Sequence, residues 1–506
     1  MSGTSSHHSD RTVDVLIIGS GPIGATVASQ VREASPESEI LMVEAGADLG
    51  GERGVHLTDS SDPHLLSIYT HFMRHALQLN YVQDGVEEFG LVRRKTLTVP
   101  SGGVLPAARL GFDTTQMPGA SIAWNTGGMG IHWTAAGPAP SVMEQVPGLD
   151  GDDWDADWAT AASLFQLTSD AFSFNPMAPA ILDALRRVVP SDDEARAAQN
   201  MPMAGRRHSS GRFHRTGPAD IFPPLRVGSD STFRLVSNTL CTGLTVEAGR
   251  VSGASFQDVQ TDERWTACAQ IVVVAADTLR TPQLLWASGI RPRALGHYLN
   301  EHASVSGDSF VDPERLGATG VDRPVSPPEY EPFVGAYWIP SRGPAQPFHG
   351  QLMETANEDH GHVLGYTFYV PTEVRYENAI QFDDDSTDLI GLPRPTIRFS
   401  YTNRDDAMID EARGLLGQVR DAIGPLQEGS WMTLAAGGSL HYTGTVRMGP
   451  ADDGTSVCDL RGRVWDYENL YVAGNGVVPT ALSCNSTLTS ATLAVRSARE
   501  ISRQLA

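Results

Sequence analysis

The apolar positions cluster in short runs separated by glycine-rich and polar stretches. Val13 to Ile18 is almost continuously apolar and rich in β-branched residues, which predicts a strand buried on both faces of a parallel sheet. A helix-compatible stretch follows, and "EILMVEAG" (Glu39 to Gly46) predicts a second strand ending at Glu44. "AQIVVVAADT" (Ala269 to Thr278) reads as a further apolar strand, and "TPQLLWASG" after it as a helix with Pro282 at its first position, where the missing N–H costs little. Asn469 to Ala473 predicts a short buried strand, and Thr489 to about Leu505 an amphipathic closing helix. Strands alternating with helices predict an α/β fold with a Rossmann-like domain. No repeat of 20–50 residues is visible.

The turn after the first strand reads Gly19-Ser-Gly21-Pro-Ile-Gly24. The first glycine permits a tight turn, the second lets backbone approach a pyrophosphate, and the third lets the helix pack close on the strand. The helix N-terminus offers N–H groups and partial positive charge to phosphates. Glu44 lies about twenty residues beyond Gly24, where an acid binds ribose hydroxyls, so the segment predicts a dinucleotide site. This motif alone does not separate NAD from FAD.

Composition narrows the class. The chain has 506 residues, 41% hydrophobic and 19% charged, enough for a large core and more than one domain. Its formal net charge of −23 argues against nucleic acid or an anionic membrane surface as partners. No apolar run approaches the roughly 18 residues that a membrane helix needs. Four cysteines (Cys241, Cys268, Cys458, Cys484) make no disulfide framework and no CxxC pair, so no metal is implied and a cytoplasmic location is the default expectation. Met1 to Arg11 reads as a floppy tail without the features of a signal peptide, and His7 and His8 as tail residues. "GRRHSSGRFHR" (Gly205 to Arg215) is a basic spot, read as a solvated loop or an internal ion-pair site, with phosphate or partner binding as the alternative.

Five motifs occur in a fixed order: the glycine loop, "GGMGIHW" (Gly127 to Trp133), "TPQLLWASGI", "HYTGTVRMG" (His441 to Gly449) and "AGNGVVPTALSCNSTLT" (Ala473 to Thr489). In that order the chain resembles the glucose–methanol–choline (GMC) oxidoreductases, and within them the pyranose oxidases and bacterial glycoside 3-oxidases. The subgroup resemblance rests on the His–Trp segment and on "PFHGQL" (Pro347 to Leu352). It implies FAD and a GMC, p-hydroxybenzoate-hydroxylase-like architecture, in which a second α+β domain binds substrate. The expected FAD-binding segments are 12–145, 230–310 and 432–506, and the expected substrate-binding segments 146–229 and 311–431. Arg291 departs from the glycine usual after "ASGI" and is expected to alter only a loop. The chain is shorter than the tetrameric fungal proteins, so a monomer or small oligomer is expected.

The chemistry implied is the oxidation of a secondary hydroxyl of a pyranose sugar or glycoside, at C3 or C2, to a ketone. Hydride goes to flavin N5, and O2 (giving H2O2) or a quinone is the final acceptor. The hydroxyl proton needs a base poised near neutral pH, and His441 matches the family's catalytic histidine. Asn485 matches the position that orients the substrate oxygen, with a helix N-cap as the plainer reading. His132 matches the pyranose-oxidase histidine that carries the flavin covalently, or else packs beside a non-covalent FAD. Thr134 matches the threonine near flavin N5 and O4. Gly127, Gly128, Gly130, Cys241, Gly474, Asn475 and Thr487 complete the expected cofactor contacts, and Gln351 matches a substrate-contacting glutamine. The polar "ETANEDHG" (Glu354 to Gly361) lacks the aromatics of the fungal loop; a mobile loop carrying Glu354, Glu358, Asp359, His360 and His362 would admit a glycoside. A lyase that keeps FAD without redox turnover and a non-catalytic flavoprotein are the competing classes.

Overall fold

The computed structural model describes the chain except residues 1–10, 50–51, 61, 64, 67–90, 95, 101, 150, 209–211, 227–229, 322–330, 332, 358–360 and 426–431. The strand Arg11–Ile18 lies between Ile40–Val43 and Arg264–Val274, parallel to both. Phe233–Val236 extends the parallel array beyond Ile40–Val43. Leu470–Val472 joins the far end of Arg264–Val274 in parallel, while Arg250–Asp258 and Thr239–Glu247 continue from its near end as an antiparallel meander. The helix Pro22–Ala34 covers one face, and Val15, Ile17, Val27 and Val31 are fully buried between them.

A second, antiparallel sheet has the order Met432–Thr433, Ala303–Phe310, Gly361–Val370, His349–Asn357, Gly335–Ile339 and Gln199–Asn200. Alternation along its strands sorts the side chains. Val305, Leu352, Leu364, Tyr366 and Phe368 pack against the helix Asn403–Ile423. That helix buries Ile409, Ala412, Leu416, Val419 and Ile423 at three- and four-residue spacing, and a Thr402–Asp405 capping box starts it. The opposite face carries His349, Gln351, Thr367 and Tyr369, which the register sets side by side (His349 opposite Tyr369, Gln351 opposite Thr367).

Two expectations are corrected, and two observations bear on the expected segments. The helix after the third core strand runs Asp277–Ala287, so Pro282 is inside it and not at its start. Proline donates no N–H to the carbonyl four residues back; that carbonyl, of Thr278, accepts from the Thr445 hydroxyl at 2.6 Å and ties the C-terminal quarter to the sheet. Second, Ala303–Phe310 and Met432–Thr433 hydrogen-bond in the second sheet, across the segment boundaries expected for the FAD-binding part. Third, helix Gly151–Leu164, in a segment expected to serve substrate, lies beside the closing helix Ser486–Leu505, with Arg496 3.0 Å from Asp153 and Arg499 paired with Asp157. Fourth, Glu354 and His362 are not on a mobile loop. They face each other across the hairpin His349–Asn357/Gly361–Val370, both buried, with His362 Nδ1 2.5 Å from the Glu354 carboxylate. Tyr337 and Asn175 also donate to that carboxylate. A buried charge keeps such partners because losing them is costly. Glu358, Asp359 and His360 lie outside the described residues.

The basic spot contains an internal ion-pair site. Arg215 is fully buried in a two-pronged pair with Glu331 (2.7 and 3.0 Å). His214 sits between Asp59 (3.0 Å) and Asp220 (2.9 Å), whose carboxylates hold its imidazole up to about 9 against the opposing effect of burial. Ser209 to Gly211 lie outside the described residues. Arg291 stacks over Trp286 at 4.1 Å and pairs with Asp384 at the surface.

Candidate active site

One long cavity runs from the first glycine loop to the polar face of the second sheet. At one end, Gly19 has φ +109°, and a Cβ there would stand 2.3 Å from the Ala275 carbonyl oxygen. A Cβ on Gly24 would stand 2.2 Å from the Gly19 carbonyl oxygen, so the helix can approach the turn only with glycine there. At Gly21 and Gly474, both on the cavity wall, open space stands where a Cβ would be. The helix Pro22–Ala34 starts without a side-chain cap, which leaves its first N–H groups available. Glu44 also lines the cavity. It accepts from the Ser20 hydroxyl at 2.8 Å and from the Gly46 N–H at 2.8 Å, while burial pushes its carboxyl up.

Ser20 connects this end to the second glycine cluster, because its hydroxyl oxygen accepts from the Gly127 N–H at 2.9 Å. Gly127 and Gly128 have positive φ (+89° and +52°). Gly128, Gly130, His132 and Thr134 line the cavity, as do Cys241 and Asn475, whereas Gly24 and Gly127 stand behind the wall and shape it. His132 is buried, and burial lowers its imidazole to about 4. Its Nε2 lies 2.8 Å from the Asn125 side-chain oxygen. The Asn125 amide donates to the carbonyls of Thr126 (3.1 Å) and Gly128 (3.0 Å), which sets its oxygen toward the imidazole and places the ring proton on Nε2.

At the other end His441, Asn485, Gln351 and Thr487 line the same cavity. Asn485 stands at the N-cap position of the closing helix, yet its side chain makes no cap bond. Its amide donates to Gln351 Oε1 at 3.2 Å, and its oxygen is buried without a partner. His441 lies beside Tyr369, and burial lowers its imidazole to about 4. The spacing of the motifs did not single out four residues that build this end. His302 Nε2 lies 2.8 Å from His441 Nδ1. Glu301, whose carboxyl burial raises to about 7, accepts from the Gly437 N–H and the Ser439 hydroxyl on the loop that carries His441. Glu144, far off in sequence, accepts from the Ser483 hydroxyl and the Cys484 N–H (both 2.9 Å) and so fixes the turn before Asn485. His349 accepts from the Trp338 indole at 3.0 Å, and its other nitrogen is buried without a partner.

Comparison with known proteins resolves what such a cavity serves. Residues 377–494 match the family model described as GMC oxidoreductase. A C-glycoside 3-oxidase of Microbacterium trichothecenolyticum is 34% identical, with 97% of each chain covered. The chain belongs to the GMC oxidoreductase family. A second C-glycoside 3-oxidase, of Arthrobacter globiformis, is 36% identical over 97% of this chain and 95% of the relative. A pyranose 2-oxidase of Tricholoma matsutake is 27% identical over 96% and 93%. Among solved structures, pyridoxine 4-oxidase from Mesorbium loti superposes with a TM-score of 0.64 at 15% identity, covering 96% and 99%, and formate oxidase with 0.66 at 14%, covering 97% and 98%. These two show the same fold. This GMC oxidoreductase is an FAD-dependent enzyme. The cavity fits the cofactor: an uncapped helix start with open glycines at one end, and an unpartnered buried oxygen on Asn485 at the other. Among the described residues no helix is long and apolar enough to cross a membrane.

Proposed function

We propose that this enzyme oxidises a secondary ring hydroxyl of a pyranose sugar or glycoside to a ketone, at C3 and with glycosides preferred. The observation that carries the reading is the meeting of His441, Asn485 and Gln351, from three distant segments, on the wall of the cofactor cavity. The C3 preference is supported by the C-glycoside 3-oxidases at 34% and 36% identity, against 27% for a pyranose 2-oxidase. Anchoring of Glu354 and His362 in the hairpin removes the mobile-loop argument for it.

FAD, when bound, accepts the hydride from the alcohol carbon. Burial holds the His441 imidazole near 4, below the near-neutral value expected of the base, so the ring is neutral at ordinary pH and its bare nitrogen is free to take the hydroxyl proton. Asn485 cannot act as a base. Its unpartnered oxygen and second amide hydrogen hold the substrate hydroxyl, while Gln351 fixes the amide plane. The alcohol thus gives up one proton and one hydride. The two electrons would pass from bound FAD to O2, giving H2O2, or to a quinone. Glu44 would hold the adenosine ribose, and Gly19, Gly21 and the uncapped helix start would hold the pyrophosphate. We further place the protein in the cytoplasm, as a monomer or small oligomer, in keeping with four cysteines that all stand free.

Product NMR after incubation with glucose and with a matched aryl glucoside tests the reading. A 3-keto glucoside at the higher kcat/KM is expected. A strong preference for glucose with a 2-keto product would make the enzyme a pyranose 2-oxidase. A flavin that sugar does not bleach without oxygen would favour the lyase or non-catalytic reading.

A further inference from the structure

We propose that His302 is the positioning residue of this reaction: it accepts the Nδ1 proton of His441 and thereby makes Nε2 of His441 the base. The inference rests on the reading of His441 as the base and extends it to a second histidine. The two imidazoles meet edge to face, with His302 Nε2 2.8 Å from His441 Nδ1 and ring centroids 4.9 Å apart. A contact between two ring nitrogens at that distance holds one proton and one lone pair. In this assignment the His302 proton sits on Nδ1, toward the backbone of Leu482 and Ser483, which favours the protonated ring. Nε2 of His302 is therefore bare and receives the His441 Nδ1–H. His441 then presents an unprotonated Nε2 on a side chain that lines the cavity.

The neighbourhood explains why a histidine, not a carboxylate, fills this role. His302 packs on Tyr369 at 4.4 Å, and His349 stacks on the same ring at 5.3 Å. Burial holds all three imidazoles neutral, and repulsion from neighbouring imidazoles adds to it at His302 and His349. The carboxylate of the preceding residue, Glu301, bonds Gly437 and Ser439, and that of Glu144 bonds Ser483 and Cys484. A carboxylate in place of His302 would stabilise the imidazolium of His441 and keep the base protonated. A neutral acceptor fixes the tautomer without that penalty. Glu301 and His302, consecutive in the chain, grip the same loop at two points, one on its backbone and one on the His441 ring. When substrate gives its proton to Nε2, Nδ1–H stays in the bond to His302. The Nε2 proton leaves with the reduced acceptor.

The test compares His302→Phe, His302→Gln and His302→Asp with the native holoenzyme. His302→Phe removes the acceptor, and flavin reduction in anaerobic stopped flow should slow about 10–100-fold with KM little changed and FAD content kept. His302→Gln, which offers a carbonyl to His441 and an amide to Leu482 and Ser483, should recover most of that loss. His302→Asp should move the acid limb of the reductive rate to higher pH. Glu301, His349, Tyr369 and Tyr442 are common to all three variants, so their titration does not account for the differences. Nitrogen NMR on histidine-labelled protein reads the tautomer without turnover: native His441 should show a bare Nε2, and His302→Phe a mixture. A protonated Nε2 in the native protein, or a His302→Phe enzyme with the native rate and pH profile, would overturn the proposal. His441→Ala separates the two levels. If it reduces flavin at the native rate, the base assignment itself fails; if it is crippled while His302→Phe is native, only the role of His302 fails.

Discussion

The two ends of the cavity are built in opposite ways. The glycine end is organised by one short stretch, Arg11 to Glu44, in which strand, turn, helix and second strand follow each other directly, and Gly128, Cys241 and Gly474 complete the wall. The reacting end draws His302, Gln351, His441 and Asn485 from four segments that two sheets and a helix start bring together. A local motif depends on backbone shape, so a single added methyl can destroy it. A dispersed constellation depends on hydrogen bonds between side chains, so its losses should be graded and should leave the fold and the cofactor in place.

Gly24→Val puts that contrast to its severest test. Its Cβ would meet the Gly19 carbonyl oxygen at 2.2 Å, so the purified protein should be colourless or unfolded, read by absorbance and circular dichroism. A yellow Gly24→Val protein would break the claim that the glycine end tolerates no added atom. Leu416→Ala, far from both ends in the helix behind the second sheet, should cost about 2–5 kcal/mol of stability, because it empties a fully buried site. Chemical denaturation measures it, and flavin content should be unchanged. At the reacting end, Asn485→Ala should slow flavin reduction about 10–100-fold and keep FAD, since it removes a positioning group and not the base. Stopped-flow reduction beside the flavin spectrum checks both halves.

The smallest effects concern protons and linkage. Burial places the His441 imidazole near 4, below its ordinary value, and a base works only when unprotonated. The reductive rate should therefore fall with acid only as pH approaches 4, and a half-height near 6.5 would contradict the burial argument. Asn125 holds the Nε2 proton of His132, so that nitrogen is not free to bond the flavin and only Nδ1 is left bare. With Nε2 engaged in this way, FAD is expected in the supernatant after acid precipitation. Colour in the pellet would show a covalent bond.

This difference in construction also decides what could be read in advance. Gly19, Gly21, Gly24 and Glu44 declare themselves by spacing because their neighbours in space are their neighbours in sequence. His441, Asn485 and Gln351 were legible only through resemblance to a family, for a histidine or an amide alone carries no spacing signal. His302 and Glu144 were not legible at all: each acts on a loop more than a hundred residues away, through pairings that only the folded sheets create. The misplaced start of the Asp277–Ala287 helix has a similar cause. Proline is favoured at a first turn, but here the carbonyl that Pro282 leaves free is satisfied by Thr445, which local sequence cannot supply. The segment Glu354 to Gly361 reads as polar and hence mobile, whereas Glu354 finds Asn175, Tyr337 and His362 and is buried with them.

The central claim is that the dispersed end performs the chemistry while the local end holds the cofactor. Anaerobic stopped-flow reduction of His441→Ala by a glucoside, with FAD content measured on the same sample, tests it most directly. The account predicts a fully yellow protein whose flavin bleaches about 10²–10⁴-fold more slowly than the native enzyme. A His441→Ala protein that bleaches at the native rate, or one that loses FAD together with activity, would contradict it.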